Sequence, residues 1–286
     1  MTATAATIDR LVSKSAQLYS LPAVAMQVLE LTGQPELDTH ALRQCIENDP
    51  ALTTKILRVV NSSLFGLGRE VLDLGQALTL LGTKPLKLLV LGFSLPDGLF
   101  AGVGGEVLGR YWRHTLTKAV AAREIAETVW RNPGDDAFIV GLLQDLGQLV
   151  LVREVGRPYL DFAERAWASG GDLVALEREA MGFDHTELTA RFLRQWGLPK
   201  LLVSNVAWRD VHAAAHDSSP SAPPLPKILH LAELTARLVA GGRPELLSEV
   251  LAVGVRYRKL SAPQLDRLVA DLEEKVAQLA DVLRLE

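Results

Sequence analysis

Apolar residues recur along this chain at spacings of three and four, and almost nowhere at the alternating spacing of a half-buried strand. In 49–60, Asp-Pro-Ala-Leu-Thr-Thr-Lys-Ile-Leu-Arg-Val-Val, the residues Leu52, Ile56, Val59 and Val60 fall on one helical face. Asp49 is a natural N-cap, because its short carboxylate can accept from the first unpaired backbone N–H groups, and Pro50 suits the first helical position. Further short helices are predicted over 21–31 and 38–48, over 72–81 up to Gly82, and over 84–95 up to Pro96. Together they predict a helical N-terminal unit.

A glycine-rich break over 98–109 precedes a long amphipathic helix predicted for 111–130, with Ala and Ile on its apolar side. The next helix, 135–152, opens on an acidic turn, which favours the positive end of the helix dipole. Helices over 159–169, 172–181, 185–196 and 201–211 follow, the third closed by Gly197-Leu-Pro199. The proline-rich stretch 216–226 predicts an exposed loop, and the helical pattern resumes over 227–240. Ser261-Ala-Pro263 starts a last helix, on which Leu265, Leu268, Leu272, Val276, Leu279 and Leu283 form a stripe. Such a stripe reads first as an internal packing face, with a dimer seam as the alternative. The fold class is all-α.

Composition narrows the function classes. A chain that is 48% hydrophobic and 22% charged can bury a large core and is not disordered. A net charge of −4, without a run of Lys or Arg, argues against binding nucleic acid through counterion release. The single cysteine, Cys45, excludes an intrachain disulfide and a cysteine-rich zinc site, and reads as a buried helix residue. No basic region followed by an apolar core appears in 1–9, and the longest apolar stretch, 88–95, is too short to span a bilayer. The expectation is a cytoplasmic protein without membrane association. Gly102-Val-Gly-Gly105 follows no strand, and neither a phosphate-loop motif nor a Gly-x-Ser-x-Gly elbow occurs, so no cofactor is expected.

The run Asn48-Asp-Pro-Ala-Leu-Thr-Thr-Lys-Ile-Leu-Arg-Val-Val-Asn-Ser-Ser-Leu-Phe-Gly66 resembles the signature of the HD-related output domain (HDOD) family. Leu21-Pro22 and Ala77-Leu-Thr-Leu-Leu-Gly82 flank it in the family's order, and the likeness continues through Tyr111-Trp-Arg-His114, 138–151, Phe183-Asp-His185 and Trp196-Gly-Leu-Pro199. The resemblance spans residues 10–240 and implies a helical N-terminal subdomain, 1–100, packed on a degenerate HD-type helical core, 101–245. C-terminal helices would fill 246–286. It also implies a bacterial signal-transduction or regulatory role, often beside receiver, cyclic-di-GMP or other sensory modules, with no single defining enzymatic activity.

HD phosphohydrolases hold a divalent metal with a His-Asp pair and further histidines and carboxylates from separate helices. The resemblance carries that set onto His114, Gln144-Asp145, His185, Arg209-Asp210 and Glu233. A glutamine amide oxygen is a poor ligand for a transition metal, and Arg209 is a permanent cation. The expectation is therefore a site without catalytic residues or a resident metal, with Arg209 paired to Asp145 or Glu233 in place of the ion. The residual candidates for a weakly held metal are His114, Asp145, His185 and Glu233. Structural roles compete at the first three: core hydrogen bonding for His114, an acceptor role for Asp145, and a helix N-terminus for His185. Asn61 and Ser62, at the end of the signature helix, either close it or meet a partner. His40, His212, His216 and His230 show no ligand spacing among themselves, and His212 and His216 are expected to be exposed.

The function expected from all this is a non-catalytic output module acting through protein partners. In an alternative form, a pocket of His114, Asp145, His185 and Arg209 binds a nucleotide or another anionic effector. A metal-dependent phosphohydrolase with an atypical ligand set, and a scaffold or dimerisation unit built on the C-terminal stripe, are the competing classes. The oligomeric state stays open.

Overall fold

The computed structural model describes residues 8–13, 20–34, 36–216, 222–258 and 260–283, except the side chains of 97, 209, 210, 214 and 282; its regular elements are all helical among the described residues. The N-terminal unit is built from α1 (Ala23–Gly33), α2 (Thr39–Glu47), α3 (Pro50–Val60), α4 (Leu74–Leu81) and α5 (Thr83–Phe93). Three of these open on an aspartate. Asp38 accepts from the backbone N–H groups of His40 and Ala41, Asp49 from Leu52 and Asp73 from Gln76. Each cap stabilises its helix by roughly 0.5–2 kcal/mol, which matters for helices too short to persist alone. Cys45 is buried in α2, as expected.

The rest of the chain is organised around α6 (Gly105–Ile125). It packs against α7 (Asp135–Leu143) and against α14 (Pro224–Val239) and α16 (Ala262–Leu283), which arrive later in the chain. Between them run α8 (Leu146–Val155), α9 (Arg157–Ala168), α10 (Leu173–Met181), α11 (His185–Gln195), α12 (Lys200–Ser204) and α13 (Trp208–Ala215), with α15 (Leu247–Arg258) before the last helix. The second half of α6 is buried on nearly every side, from Thr115 to Arg123.

Helices α8 and α11 meet at Gly147. A Cβ at that position would lie 2.0 Å from the backbone oxygen of His185, and the Gly147 N–H donates to Thr189 Oγ1 at 2.7 Å. Only glycine allows the two backbones this approach. The contact sets the distance between the start of α8, beside Asp145, and the start of α11 at His185.

The leucine stripe of α16 lies inside the molecule. Leu265, Leu268, Leu272, Leu279 and Leu283 are buried, and the helix packs on α6 and α3. Lys275 adds an ion pair to Glu124 of α6 at 2.7 Å. The stripe is therefore a packing face, and its leucines are not available as a dimer seam.

Five boundaries differ from those predicted. Helix α6 starts at Gly105, inside the glycine-rich stretch, where Glu106 pairs with Arg110 one turn on at 3.4 Å. At its far end the α-helix passes into a π-helical turn over Ala126–Trp130, ended by Arg131 at φ 57°. The single helix predicted over 135–152 is broken at Gln144-Asp145, where Asp145 sits at φ −93° and ψ 6°. Apolar periodicity passes through this break unmarked, because both flanking segments are buried all round. The helix predicted for 201–211 is two short ones, and α14 begins at Pro224, since proline is tolerated where no N–H is needed. Of the predicted loop over 216–226, residues 217–221 lie outside the described residues.

Two substitutions test the packing. Leu272→Ala should cost about 2–5 kcal/mol by urea denaturation, as a fully buried leucine does when a cavity replaces it. Gly147→Ala should cost at least about 1–3 kcal/mol, because the new methyl meets backbone. An unchanged midpoint in either variant would contradict the corresponding contact.

Candidate functional site

Four separate parts of the chain deliver side chains to one cavity of about 690 Å³. Helix α6 presents His114 and Lys118, one turn apart on the same face. The break between α7 and α8 turns Gln144 and Asp145 inward. The start of α11 supplies His185, held by Asp184, whose carboxylate accepts from the N–H groups of Thr186 and Glu187 at 2.8 and 3.0 Å. Helix α14 brings Glu233 and Arg237. The N–H of Trp208 donates to Thr186 Oγ1 at 2.7 Å and so ties α13 to the same corner.

At the centre is the Lys118 ammonium group, 1% exposed. Its Nζ donates to both oxygens of Asp145 at 2.6 Å and lies 3.2 Å from Glu233 Oε2. His114 Nε2 is 3.3 Å from the same Glu233 oxygen and 4.0 Å from Asp145. Arg237 donates from Nε to the other Glu233 oxygen at 2.8 Å and reaches Asp172 at 3.4 Å. On the far side of Asp145, His185 places Nε2 3.4 Å from Oδ1. Its Nδ1 lies 2.6 Å from Glu177 Oε2, and the other Glu177 oxygen accepts from the Tyr159 hydroxyl at 2.6 Å.

Burial alone would push the carboxyl groups of Asp145 and Glu233 up. Lys118 together with His185 and His114 at Asp145, and with His114 and Arg237 at Glu233, outweighs it, so each is held well below the usual carboxylate range. Burial would likewise lower His185, but Glu177 foremost, and then Asp145, push it up to about 10. At neutral pH this favours the imidazolium, a donor through both nitrogens. Burial and the Glu177 charge keep Tyr159 protonated, as a neutral donor. The buried charges balance: Asp145, Glu233 and Glu177 against Lys118, Arg237 and His185.

The four residual ligand candidates, His114, Asp145, His185 and Glu233, are brought together as the sequence suggested, but around an ammonium group. Among the described residues, no group of three or more His, Cys, Asp and Glu side chains has its donor atoms arranged for a metal. Gln144 turns its amide N–H to the Val206 carbonyl at 2.9 Å, bracing the turn before α13. Arg209 falls in α13 with its side chain outside the described residues; the counter-charges described on Asp145 and Glu233 come from Lys118 and Arg237. Asn61 and Ser62 lie away from the cavity, in the N-terminal unit. The Asn61 amide brackets Val71, donating to its carbonyl at 2.8 Å and accepting from its N–H at 2.7 Å, while the Ser62 hydroxyl donates to Val59 O at 2.6 Å.

Sequence reasoning missed Lys118, Glu177, Tyr159 and Arg237. Two of them carried a signal. Lys118 stands four residues after His114, just before the apolar run Ala119-Val-Ala-Ala122, and Arg237 stands four after Glu233. Glu177 and Tyr159 had none, because their roles arise only where α9, α10 and α11 meet.

Fold and site together define a helical core in which Asp145 and Glu233 enclose a side-chain cation. The HDOD domain matches residues 18–211, and the chain belongs to the HDOD family. The fold recurs in an HDOD domain protein of unknown function from Geobacter sulfurreducens, 17% identical, with a TM-score of 0.70 over 97% of this chain and 99% of that one. It recurs in a Shewanella amazonensis protein provisionally named a phosphohydrolase, 22% identical, with a TM-score of 0.67 over 96% and 97% of the two chains. A Marinobacter aquaeolei protein provisionally named for signal transduction is 22% identical, with a TM-score of 0.63 over 92% of this chain and 59% of that one. The chain spans 43% of the length of a curated relative, an uncharacterized Treponema pallidum protein 23% identical over 233 residues. No helix among the described residues is long and apolar enough to cross a membrane.

The charge state of His185 has a measurable consequence. Its folded-state pKa of about 10 lies above the roughly 6.5 of an unfolded histidine, so its stabilisation is complete below that lower value and is lost as pH rises through the higher one. Between pH 7 and 10, urea midpoints of the native protein should fall, and His185→Gln should flatten that slope. Equal slopes in the two proteins would show that His185 is not held as an imidazolium.

Proposed function

We propose that this chain is a non-catalytic regulatory module of bacterial signalling, working in the cytoplasm, whose cavity takes an anionic effector or reports its state to a protein partner. The observation that carries the reading is the Lys118 ammonium group between Asp145 and Glu233. Metal-dependent hydrolysis needs a divalent ion with an open coordination position to activate water. Here the two carboxylates that would bind such an ion are neutralised by a covalently tethered cation. An arriving metal would have to displace that cation from both carboxylates. The cavity lining also includes Arg110, Arg113 and Arg243 beside Glu106 and Glu164, and this small excess of positive charge supports an anionic effector. The relative named for signal transduction agrees with this reading, and the one named a phosphohydrolase keeps the enzyme reading as the alternative.

Lys118→Ala separates the two. Removing one partner of a buried ion pair should cost about 3–5 kcal/mol, since Asp145 and Glu233 are left facing each other. Added Mn²⁺, which prefers carboxylate oxygen, should restore part of the thermal stability of the variant while leaving the native protein unshifted. The native protein should release no p-nitrophenol from bis(p-nitrophenyl) phosphate. Mn²⁺-dependent turnover by the native protein, abolished in Asp145→Asn, would establish the phosphohydrolase instead.

A further inference from the structure

Outside the cavity, three of the chain's six histidines meet although no spacing in the sequence links them all. His212 lies on α13, His216 directly after it, and His230 on α14. Their ring centroids form a triangle with sides of 4.4 Å (His212–His216), 5.2 Å (His212–His230) and 5.6 Å (His216–His230). Three imidazoles bound to one tetrahedral ion, with nitrogens about 2.0–2.1 Å from it, hold their ring centres roughly 5 Å apart. The triangle already has that size.

Hydrogen bonds leave suitable atoms free. His216 Nδ1 lies 2.8 Å from the His212 carbonyl oxygen, and His230 Nδ1 lies 2.6 Å from the Tyr257 hydroxyl. An Nδ1 engaged in this way fixes the ring and leaves Nε2 as the ligand atom, the arrangement that outer partners impose at histidine metal sites. His212 and His216 are exposed and open a path for an ion, while His230 is buried and edge-on to Trp208 at 5.4 Å.

We propose that His212, His216 and His230 bind one divalent transition-metal ion of the zinc class, at a site separate from the Lys118 cavity. Three imidazoles favour zinc and its neighbours over magnesium or calcium, which seek oxygen. The rings now stack at mutual tilts of 38°, 60° and 39°, and their donor atoms are not yet gathered for an ion. Rotation of the exposed His212 side chain toward Nε2 of His216 and His230 completes the set, with water in the fourth position. A bound ion would clasp α13 to α14, the helices that carry Trp208 and Glu233 to the cavity wall.

The test is titration of the untagged, chelator-treated full chain with ZnCl₂ by calorimetry, with CoCl₂ as a spectroscopic probe. One equivalent of Zn²⁺ should bind, and Co²⁺ should give the intense visible absorption of a tetrahedral site. Exposed His212→Gln and His216→Gln should each weaken binding at least tenfold, and the double variant should lose it and the cobalt spectrum. His114→Gln should leave both unchanged. No saturable Zn²⁺ binding, or binding that survives the double variant, would overturn the site, as would binding lost in His114→Gln instead.

Discussion

The Lys118 ammonium group is the charge on which the rest of the site depends. Buried carboxylates are tolerated only when paired, and Asp145 and Glu233 approach from different helices to share this one cation. The geometry of three elements is thereby coupled: the axis of α6, the break before α8 and the register of α14. Arg237 and His114 complete the pairing on the Glu233 side, and His185, Glu177 and Tyr159 extend it on the Asp145 side. Such a network contributes little net stability over an apolar core, but losing any one member leaves a charge uncompensated.

This arrangement relates the chain to its relatives in a specific way. Solved structures 17–22% identical share the fold with TM-scores of 0.63–0.70. A helical core needs only the apolar periodicity and the close helix contacts, which many sequences satisfy. A metal site needs particular side chains at particular positions. In this chain Lys118 ties Asp145 to Glu233 in an internal salt bridge at the centre of that helical frame. The cavity of about 690 Å³ lies beside this salt bridge, and its walls are set by helix packing.

Most of the helical order was legible in the residues. Asp49-Pro50 marks its helix start, and Asp184 its own, because capping is a local hydrogen bond between a side chain and the next turn. The gathering of His114, Asp145, His185 and Glu233 was legible through the family likeness. The cation at their centre was not, although Lys118 stands just before an apolar run and on the same helical face as His114. Its charge required knowing which carboxylates α8 and α14 would bring against it. The break at Gln144-Asp145 was hidden for a related reason: buried all round, 135–152 gives no change of period where the helix stops.

By itself, then, the sequence determined the all-helical class and most helix starts, since these follow from periodicity and from interactions within one or two turns, while only packing settled that the leucine stripe lies inside. Tertiary structure alone decided how the charges pair and which distant residues meet. His230 lies 14 and 18 residues from His216 and His212, and Tyr159 lies 18 from Glu177, yet these groups touch. Contacts of that kind exist only after helices have packed, because the distances between side chains on different helices are set by their crossing and not by their spacing along the chain.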